Sequence, residues 1–296
     1  MSFRPKIAVF GTNGLLGKPV LEALTSSTFS KYFSFPIIAI TRDKSRFTST
    51  NLIEFREANL DQSNDSFTQA LKDVDVLINV ASLDIQLNTL LGAIVKSSSV
   101  KLYIPTQFGM ELTKIQDYLP IIDIKIKHSE KARKLGIKTV DISTGLFAVP
   151  GSFLYEWLGA VGYSRDDNVA TIIGDPDLKF AISKLEDIGK SVASIVSKDP
   201  NTLPDSVRIY SDLVSQEQVL ERYERSHNIK INRQYITKQQ GLEKAQDTLK
   251  NGFNIKDFFF YLQVVASQGI DKGSSFSSDE RDFVNPNESL FDWGKF

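Results

Sequence analysis

Short apolar runs alternate with longer amphipathic segments along the first half of the chain. The runs predict strands, and the segments between them carry apolar residues at helical spacing. The predicted strands are Lys6–Phe10, Pro36–Ile40, Leu52–Ala58, Val74–Val80, Val100–Ile104 and Lys138–Ile142. The predicted helices are Leu15–Leu24, a segment around Phe67–Leu71, Ile85–Lys96 and Ile121–Leu135, before Gly136. This alternation is typical of right-handed parallel β-α-β units, so the sequence predicts an α/β fold with a doubly wound parallel sheet.

The pattern changes after about residue 150, where the stretch GSFLYEWLGAVGYS is rich in glycine and aromatic residues. The expected strands beyond it are Thr171–Ile173, Lys179–Ile182 and Val207–Tyr210, and the expected helices are Asp187–Ser197 and Ser215–Ser226. We therefore expect residues 1–150 to form the domain that contains the main sheet. Residues from about 180 to 200 are expected to pack with that domain. Residues 151–296 are expected to form a smaller, mixed α/β part.

Composition excludes several kinds of site. The 296 residues carry a net charge of −1, so no bulk charge points to nucleic acid. The chain contains no cysteine and two histidines, which excludes disulfides and zinc-thiolate sites and predicts no metal centre. No apolar segment approaches the roughly 18 residues that span a bilayer. We expect a cytoplasmic globular protein that does not bind membranes.

Three glycines, Gly11, Gly14 and Gly17, follow the first predicted strand and open the first helix. An ATP-binding loop would need glycine at Thr12 and a hydroxyl residue at Pro19. A dinucleotide-binding turn fits better, because it requires glycines between a strand and a helix whose N-terminus faces the pyrophosphate. A plain strand–helix turn is the alternative interpretation.

The end of the second predicted strand bears on the choice of dinucleotide. NAD-binding proteins usually carry an acidic residue there, for the ribose hydroxyls. This chain has Thr41 and Arg42, followed by Lys44 and Arg46, and a guanidinium would pair with a 2′-phosphate. The sequence therefore favours NADP(H), although Asp43 keeps NAD open.

The usual catalytic pair of short-chain dehydrogenases, Tyr-x-x-x-Lys, does not occur. No tyrosine has lysine four residues later, and Tyr235 comes nearest, with Lys238 three residues on. Any hydride-transfer chemistry must therefore use another residue.

Three further segments resemble a known family. They are YIPTQFGME (Tyr103–Glu111), IDIKIKHSEKARKLGIKTVDISTGLFA (Ile122–Ala148) and GDPDLKFAISKLEDIGKSVASIV (Gly174–Val196). With the glycine turn, they resemble the NmrA-like branch of atypical short-chain dehydrogenases, which includes isoflavone reductases and phenylcoumaran benzylic ether reductases. The resemblance covers residues 5 to about 240. It implies an NADP-binding Rossmann domain at 1–150 and a mainly substrate-binding part at 151–296.

The resemblance also implies one catalytic lysine, eleven residues before the glycine that ends its helix. Counting back from Gly136 gives Lys125. A buried lysine loses solvation, so its pKa falls and it can donate a proton to an oxygen that gains charge. His128 and Ser129 lie three and four residues later, and we interpret His128 as a surface histidine rather than a second acid.

Two departures from the family concern the site. Gln107 replaces the family's acid, after Thr106 in place of serine, and Gly145 stands where the plant reductases have asparagine. Phe147 could pack against the nicotinamide or belong to the core. The candidate cofactor-binding residues are Gly11, Thr12, Asn13, Gly14, Leu15, Leu16, Gly17, Arg42, Lys44, Ala81, Ser82, Thr106, Gln107, Phe108, Lys125 and Phe147.

Two functions remain open from the sequence. The first is an NADPH-dependent reductase for a small apolar or aromatic substrate, such as an enone, quinone, carbonyl compound or benzylic ether. The aromatic residues Phe153, Tyr155, Trp157 and Tyr163 could line its pocket. The second is a redox sensor of the NmrA type, which would bind NADP(H) without turnover. The sequence leaves the substrate and the oligomeric state open.

Overall fold

A parallel five-stranded sheet organises the N-terminal half of the computed structural model, which describes residues 4–60, 65–81, 87–115, 122–149 and 161–296. Its strand order is β3-β2-β1-β4-β5. Its strands are β1 (Lys6–Phe10), β2 (Ser34–Thr41), β3 (Ile53–Glu57), β4 (Val76–Asn79) and β5 (Leu102–Ile104). The predicted parallel sheet is confirmed. The predicted bounds of β1 match the structure, and those of the other four strands differ by one or two residues at an end.

Helices cover both faces of this sheet. They are α1 (Gly17–Thr25), α2 (Asp65–Ala70), α3 (Leu87–Ser97), α4 (Ile122–Lys134) and α5 (Leu185–Val196). Ile7 and Val9 of β1 pack into a core with α1 and α5, whereas Ala8 and Phe10 pack on the opposite face with residues of α2, α3 and α4. Because successive strand residues point to opposite faces, one apolar strand serves both layers. The doubly wound α/β fold is confirmed.

A glycine allows α5 to approach α1 closely. A Cβ atom at Gly189 would overlap the backbone of Pro19, so a larger side chain would force the two helices apart. Gly189 belongs to the Asp-Ile-Gly segment that carried part of the family resemblance. Its small size thus explains one family motif by helix packing.

Shorter strands continue the fold beyond β5. A parallel bridge joins Tyr103 to Thr139, just before β6. The chain then forms β6 (Asp141–Ser143), β7 (Leu146–Ala148), β8 (Tyr163–Ser164), β9 (Val169–Ile173), β10 (Lys179–Lys184), β11 (Ser206–Arg208), β12 (Asp212–Ser215) and β13 (Asn232–Ile236). β6 pairs with β11, β10 lies between β12 and β7, and β9 lies between β13 and β8.

A second apolar core lies among these strands and the C-terminal helices. The helices are α6 (Gln216–His227), α7 (Lys238–Leu249), α8 (Phe258–Ala266) and α9 (Arg281–Val284). Ile172, Phe180, Leu220 and Tyr261 are among its buried members. The sequence pattern did not predict β13, α7 or α8, although Thr237 and Gln240 form a capping box at the start of α7.

Among the helices that the structure describes, none has the length and apolar character needed to cross a membrane. The predicted pocket residues Phe153, Tyr155 and Trp157 lie outside the described residues, whereas Tyr163 lies in β8.

Candidate functional site

The glycine turn between β1 and α1 packs closely against the end of β4. Gly11 has a φ of +95°, and a Cβ atom there would overlap the backbone of Ala81. A Cβ atom at Gly17 would overlap the backbone of Thr12. Both glycines are therefore required, one for its backbone conformation and close approach, the other for the seating of α1 on the turn.

The same turn has free hydrogen-bonding groups where an anion would bind. No side chain caps the start of α1 at Leu16. The N–H of Gly17 donates to the Gly14 carbonyl at 3.1 Å and Pro19 has no N–H, so the Lys18 N–H is the donor of the first turn that remains for an anion. Thr12 is buried, and its hydroxyl has no hydrogen-bond partner among the described residues. Asn13, Gly14 and Leu15 are exposed at the tip of the turn. The unpartnered Thr12 hydroxyl and the Lys18 N–H at the start of α1 fit the pyrophosphate of a dinucleotide.

Basic side chains stand at the end of β2. Arg42 and Lys44 are exposed, and neither forms an ion pair with a described residue. The Asp43 carboxylate accepts hydrogen bonds from the backbone N–H and the hydroxyl of Ser45, at 3.0 and 2.6 Å, which lower its pKa. Asp43 therefore caps the turn that follows β2, and Arg42 and Lys44 remain free to meet a phosphate.

Lys125 lies in the first turns of α4 and is half-buried. Burial lowers the pKa of its ammonium group to about 8. No carboxylate of the described residues forms an ion pair with it. By contrast, Lys127 is exposed and pairs with Asp123 at 3.0 Å, as expected for a solvated lysine. Lys125 is thus the lysine of α4 whose environment suits proton transfer near neutral pH.

Gln107 connects the turn after β5 to α4. Its side-chain amide donates to the backbone oxygen of Lys125 at 2.6 Å and to the hydroxyl of Ser129 at 2.7 Å. Ser129 in turn donates to Asp141 at 2.7 Å, and Asp141 pairs with Arg133 at 2.8 Å. A carboxylate at position 107 could not donate to the Lys125 oxygen, which gives a physical reason for glutamine there.

Two of the segments that carried the family resemblance meet beside Gln107. The N–H of Gly109 donates to the Thr144 hydroxyl at 3.0 Å, and the N–H of Thr144 donates to the Gly109 carbonyl at 2.6 Å. Gly145 has a φ of +65°, and a Cβ atom there would overlap the backbone of Ala181. Asparagine at this position would therefore clash, which explains the departure noted in the sequence.

The interpretation of His128 as a surface residue is wrong. His128 is 6% exposed, and its Nε2 atom lies 2.8 Å from the hydroxyl of Tyr103 on β5. Burial, and secondarily the charge of Lys131, lowers its pKa to about 4. The residue lies one helical turn after Lys125, on the face of α4 that packs against the sheet, and sequence spacing alone did not identify that face.

The remaining candidates have different surroundings. Ala81, beside Gly11, and Thr106 are half-buried, and Phe108 is buried. Phe147 is half-buried and packs against the core shared by α1 and α5. Ser82 lies outside the described residues.

The polar residues that support this site were not predicted from the sequence. Asn79 ends the apolar strand β4, Tyr103 lies inside the apolar strand β5, and Asp141 begins β6. A polar residue within an otherwise apolar run was the available signal for the first two. Their partners lie far away in sequence, so the contacts themselves were not readable.

Comparisons with known proteins identify the family and the fold of this chain. The model of the NmrA-like family matches residues 4–283. A phenylcoumaran benzylic ether reductase of Ginkgo biloba is 26% identical over 265 residues, which cover 83% of this chain and 82% of the relative.

Solved structures share the fold. The crystal structure of an isoflavone reductase superimposes with a TM-score of 0.74 at 18% identity and covers 96% of this chain and 95% of its own. The binary complex of leucoanthocyanidin reductase with NADPH from Vitis vinifera has a TM-score of 0.70 at 16% identity, with the same two coverages. The likeness extends over nearly the whole length of each chain.

Proposed function

Because this chain belongs to the NmrA-like family, we propose that it is an NADPH-dependent reductase in which Lys125 assists hydride transfer to a small apolar or aromatic substrate. The proposal rests on the burial of Lys125 and on the lowered pKa of its ammonium group. Lys125 is half-buried, no described carboxylate pairs with it, and burial lowers its pKa to about 8. The reductase names of relatives such as the Ginkgo biloba protein support the same class of reaction.

The residues at the carboxyl edge of the sheet fit NADP(H). The Lys18 backbone N–H at the start of α1 and the Thr12 hydroxyl would meet the pyrophosphate, since neither has a hydrogen-bond partner among the described residues. Arg42, with Lys44, would pair with the 2′-phosphate, because a guanidinium offers a planar set of donors. The NADPH bound to leucoanthocyanidin reductase, which shares this fold, is consistent with that choice.

When bound, NADPH supplies the hydride. Lys125 then has one task, to donate a hydrogen bond or a proton to the substrate oxygen that gains negative charge. A pKa of about 8 leaves the ammonium form available at neutral pH and makes it a better acid than a solvated lysine. Gln107 and Ser129 hold the backbone of α4 at this point.

The substrate classes that we propose are enones, quinones, carbonyl compounds and benzylic ethers. In each, an oxygen atom conjugated or bonded to the reduced carbon gains charge during the reaction, and Lys125 can stabilise that charge. The name of the relative from Ginkgo biloba also refers to a benzylic ether.

The test is NADPH oxidation with a panel of these substrates, for the wild type, Lys125→Ala and Lys127→Ala. We expect Lys125→Ala to lose about a hundredfold in kcat. Lys127→Ala is the matched control, since Lys127 lies on the same helix in an exposed ion pair and should keep wild-type activity.

Two outcomes would contradict the proposal. Full activity of Lys125→Ala would exclude the catalytic role of Lys125. Tight NADPH binding by the wild type without turnover of any panel member would favour a redox sensor instead of a reductase.

A further inference from the structure

Three buried polar side chains form a continuous chain of hydrogen bonds beneath the site. Asn79 and Tyr103 are 0% exposed and His128 is 6% exposed, and they come from β4, β5 and α4. Asn79 Nδ2 lies 3.1 Å from the Tyr103 hydroxyl, which lies 2.8 Å from His128 Nε2. Asn79 Oδ1 accepts from the backbone N–H of Ala81 at 3.0 Å. These hydrogen bonds thus connect three elements that are distant in sequence.

The direction of every bond in this chain follows from its first donor. The backbone N–H of Ala81 can only donate, so the atom of Asn79 that faces it is the oxygen. The amide nitrogen of Asn79 then donates to Tyr103, and the Tyr103 hydrogen is left to donate to His128. Nε2 of His128 is therefore an acceptor, and the ring proton is on Nδ1.

The protonation states agree with this direction. Burial raises the pKa of Tyr103, so its hydroxyl keeps its hydrogen, and burial lowers the pKa of His128 to about 4, so the ring is neutral. Nδ1 of His128 has no hydrogen-bond partner among the described residues.

One end of this chain of hydrogen bonds lies at the glycine turn, and the other end lies near Lys125. Ala81 is the residue against which the glycine turn packs, since a Cβ atom at Gly11 would overlap its backbone. At the other end, His128 is one helical turn after Lys125 on α4. An apolar contact would hold α4 on β5 at many small offsets, whereas directional hydrogen bonds between buried groups fix one position.

From this arrangement we propose that Asn79, Tyr103 and His128 are positioning residues that hold Lys125 in register with the glycine turn. The inference rests on the proposed reductase function. In this role the three side chains do not touch the substrate. They set the distance between the lysine and the bound dinucleotide, and displacement of about 1 Å at such a site can cost up to a hundredfold in rate.

The kinetic test compares Tyr103→Phe with a matched pair at position 128. His128→Gln keeps an acceptor near the position of Nε2, and His128→Met has a similar size without that acceptor. We expect Tyr103→Phe and His128→Met to lose about tenfold in kcat while their Kd for NADPH stays within about twofold of wild type. His128→Gln should recover most of the rate.

Equal losses in His128→Gln and His128→Met, or full kcat in Tyr103→Phe, would overturn the positioning role. Thermal unfolding of each variant shows whether the measured protein is folded at the assay temperature. A loss of stability alone would lower the amount of folded protein. It would leave kcat per folded molecule the same in His128→Gln and His128→Met.

A second measurement does not depend on turnover. His227 is the other histidine of the chain, so His227→Gln leaves the 15N ring signals of His128 alone in the NMR spectrum. We expect a neutral ring with the proton on Nδ1, and a change in its signals when NADP+ binds at the Ala81 end. A proton on Nε2, or signals that NADP+ leaves unchanged, would overturn the inference even if the wild type turned over no substrate.

Discussion

The side-chain amide of Gln107 donates a hydrogen bond to the backbone oxygen of Lys125 at 2.6 Å. The same nitrogen donates to Ser129 at 2.7 Å, and the Ser129 hydroxyl gives its own hydrogen to Asp141. Gln107 lies in the turn after β5 and Lys125 lies in α4, 18 positions later in the sequence. The turn after β5 therefore fixes the backbone that carries the proposed catalytic lysine.

Gln107→Glu tests the need for a donor at this point. At neutral pH a carboxylate cannot donate to the Lys125 oxygen, and it would face Asp141 across Ser129. We expect a loss of about 1–3 kcal/mol in the free energy of unfolding, measured by urea denaturation at pH 7. The loss should shrink as the pH falls, because a protonated glutamic acid can donate one hydrogen bond. Equal stability of the two proteins at pH 7 would contradict this account.

The pH dependence of catalysis tests the state of Lys125. The ammonium form is the donor, and burial lowers its pKa to about 8, so kcat/KM should fall as the pH rises above about 8. Lys125→Arg keeps its charge throughout this range and should show a lower rate without the alkaline fall. A wild-type profile that stays level up to pH 10 would show that the lysine does not titrate during catalysis.

Arg42→Ala tests the choice of dinucleotide. Loss of the guanidinium should weaken NADPH by about 1.5–3 kcal/mol, the value of a charge-assisted hydrogen bond, and leave NADH nearly unchanged. Fluorescence titration of both cofactors measures the difference. Lys72→Ala, which removes an exposed cation between α2 and β4, is the control for general charge. Equal losses for NADPH and NADH in Arg42→Ala would exclude pairing with the 2′-phosphate.

His128 predicts an acid-dependent loss of stability. Its pKa is about 4 in the folded protein and about 6.5 when solvated, so the unfolded chain binds more protons between these values. Stability should therefore fall by up to about 3 kcal/mol as the pH drops from 6.5 to 4. Lys131 adds to the effect, because its charge disfavours a charged ring.

The measurement is the difference in unfolding free energy between wild type and His128→Gln across that pH range. Asp and Glu residues titrate in the same range, but they contribute equally to both proteins. The acid-induced loss of unfolding free energy should be smaller in His128→Gln, because this variant has no imidazole ring to protonate at position 128. Parallel curves for the two proteins would show that His128 does not resist protonation in the folded state.

Local pattern was sufficient for the sheet and the glycine turn. The apolar run Lys6–Phe10 and the glycines after it are neighbours in sequence, so their strand–turn–helix geometry depends on short-range sterics and on burial. The predicted strand Leu52–Ala58 and the observed Ile53–Glu57 differ by one residue at each end. The placement of Lys125 came from the family resemblance, and its catalytic role remains a prediction.

Only the tertiary structure decided what surrounds that lysine. His128 lies on a mixed, basic helix, and its burial depends on Tyr103, which is 25 residues away. The amide of Gln107 replaces the family's acid and donates to two acceptors on α4. Gly145 replaces an asparagine at a position where a Cβ atom would overlap the backbone of Ala181. Each contact joins residues that no local periodicity relates, because packing of separate elements sets their distance. The sequence by itself determined the strands of the main sheet and the glycine turn, because these depend on neighbouring residues. The packing of separate elements determined the hydrogen bonds that hold the site.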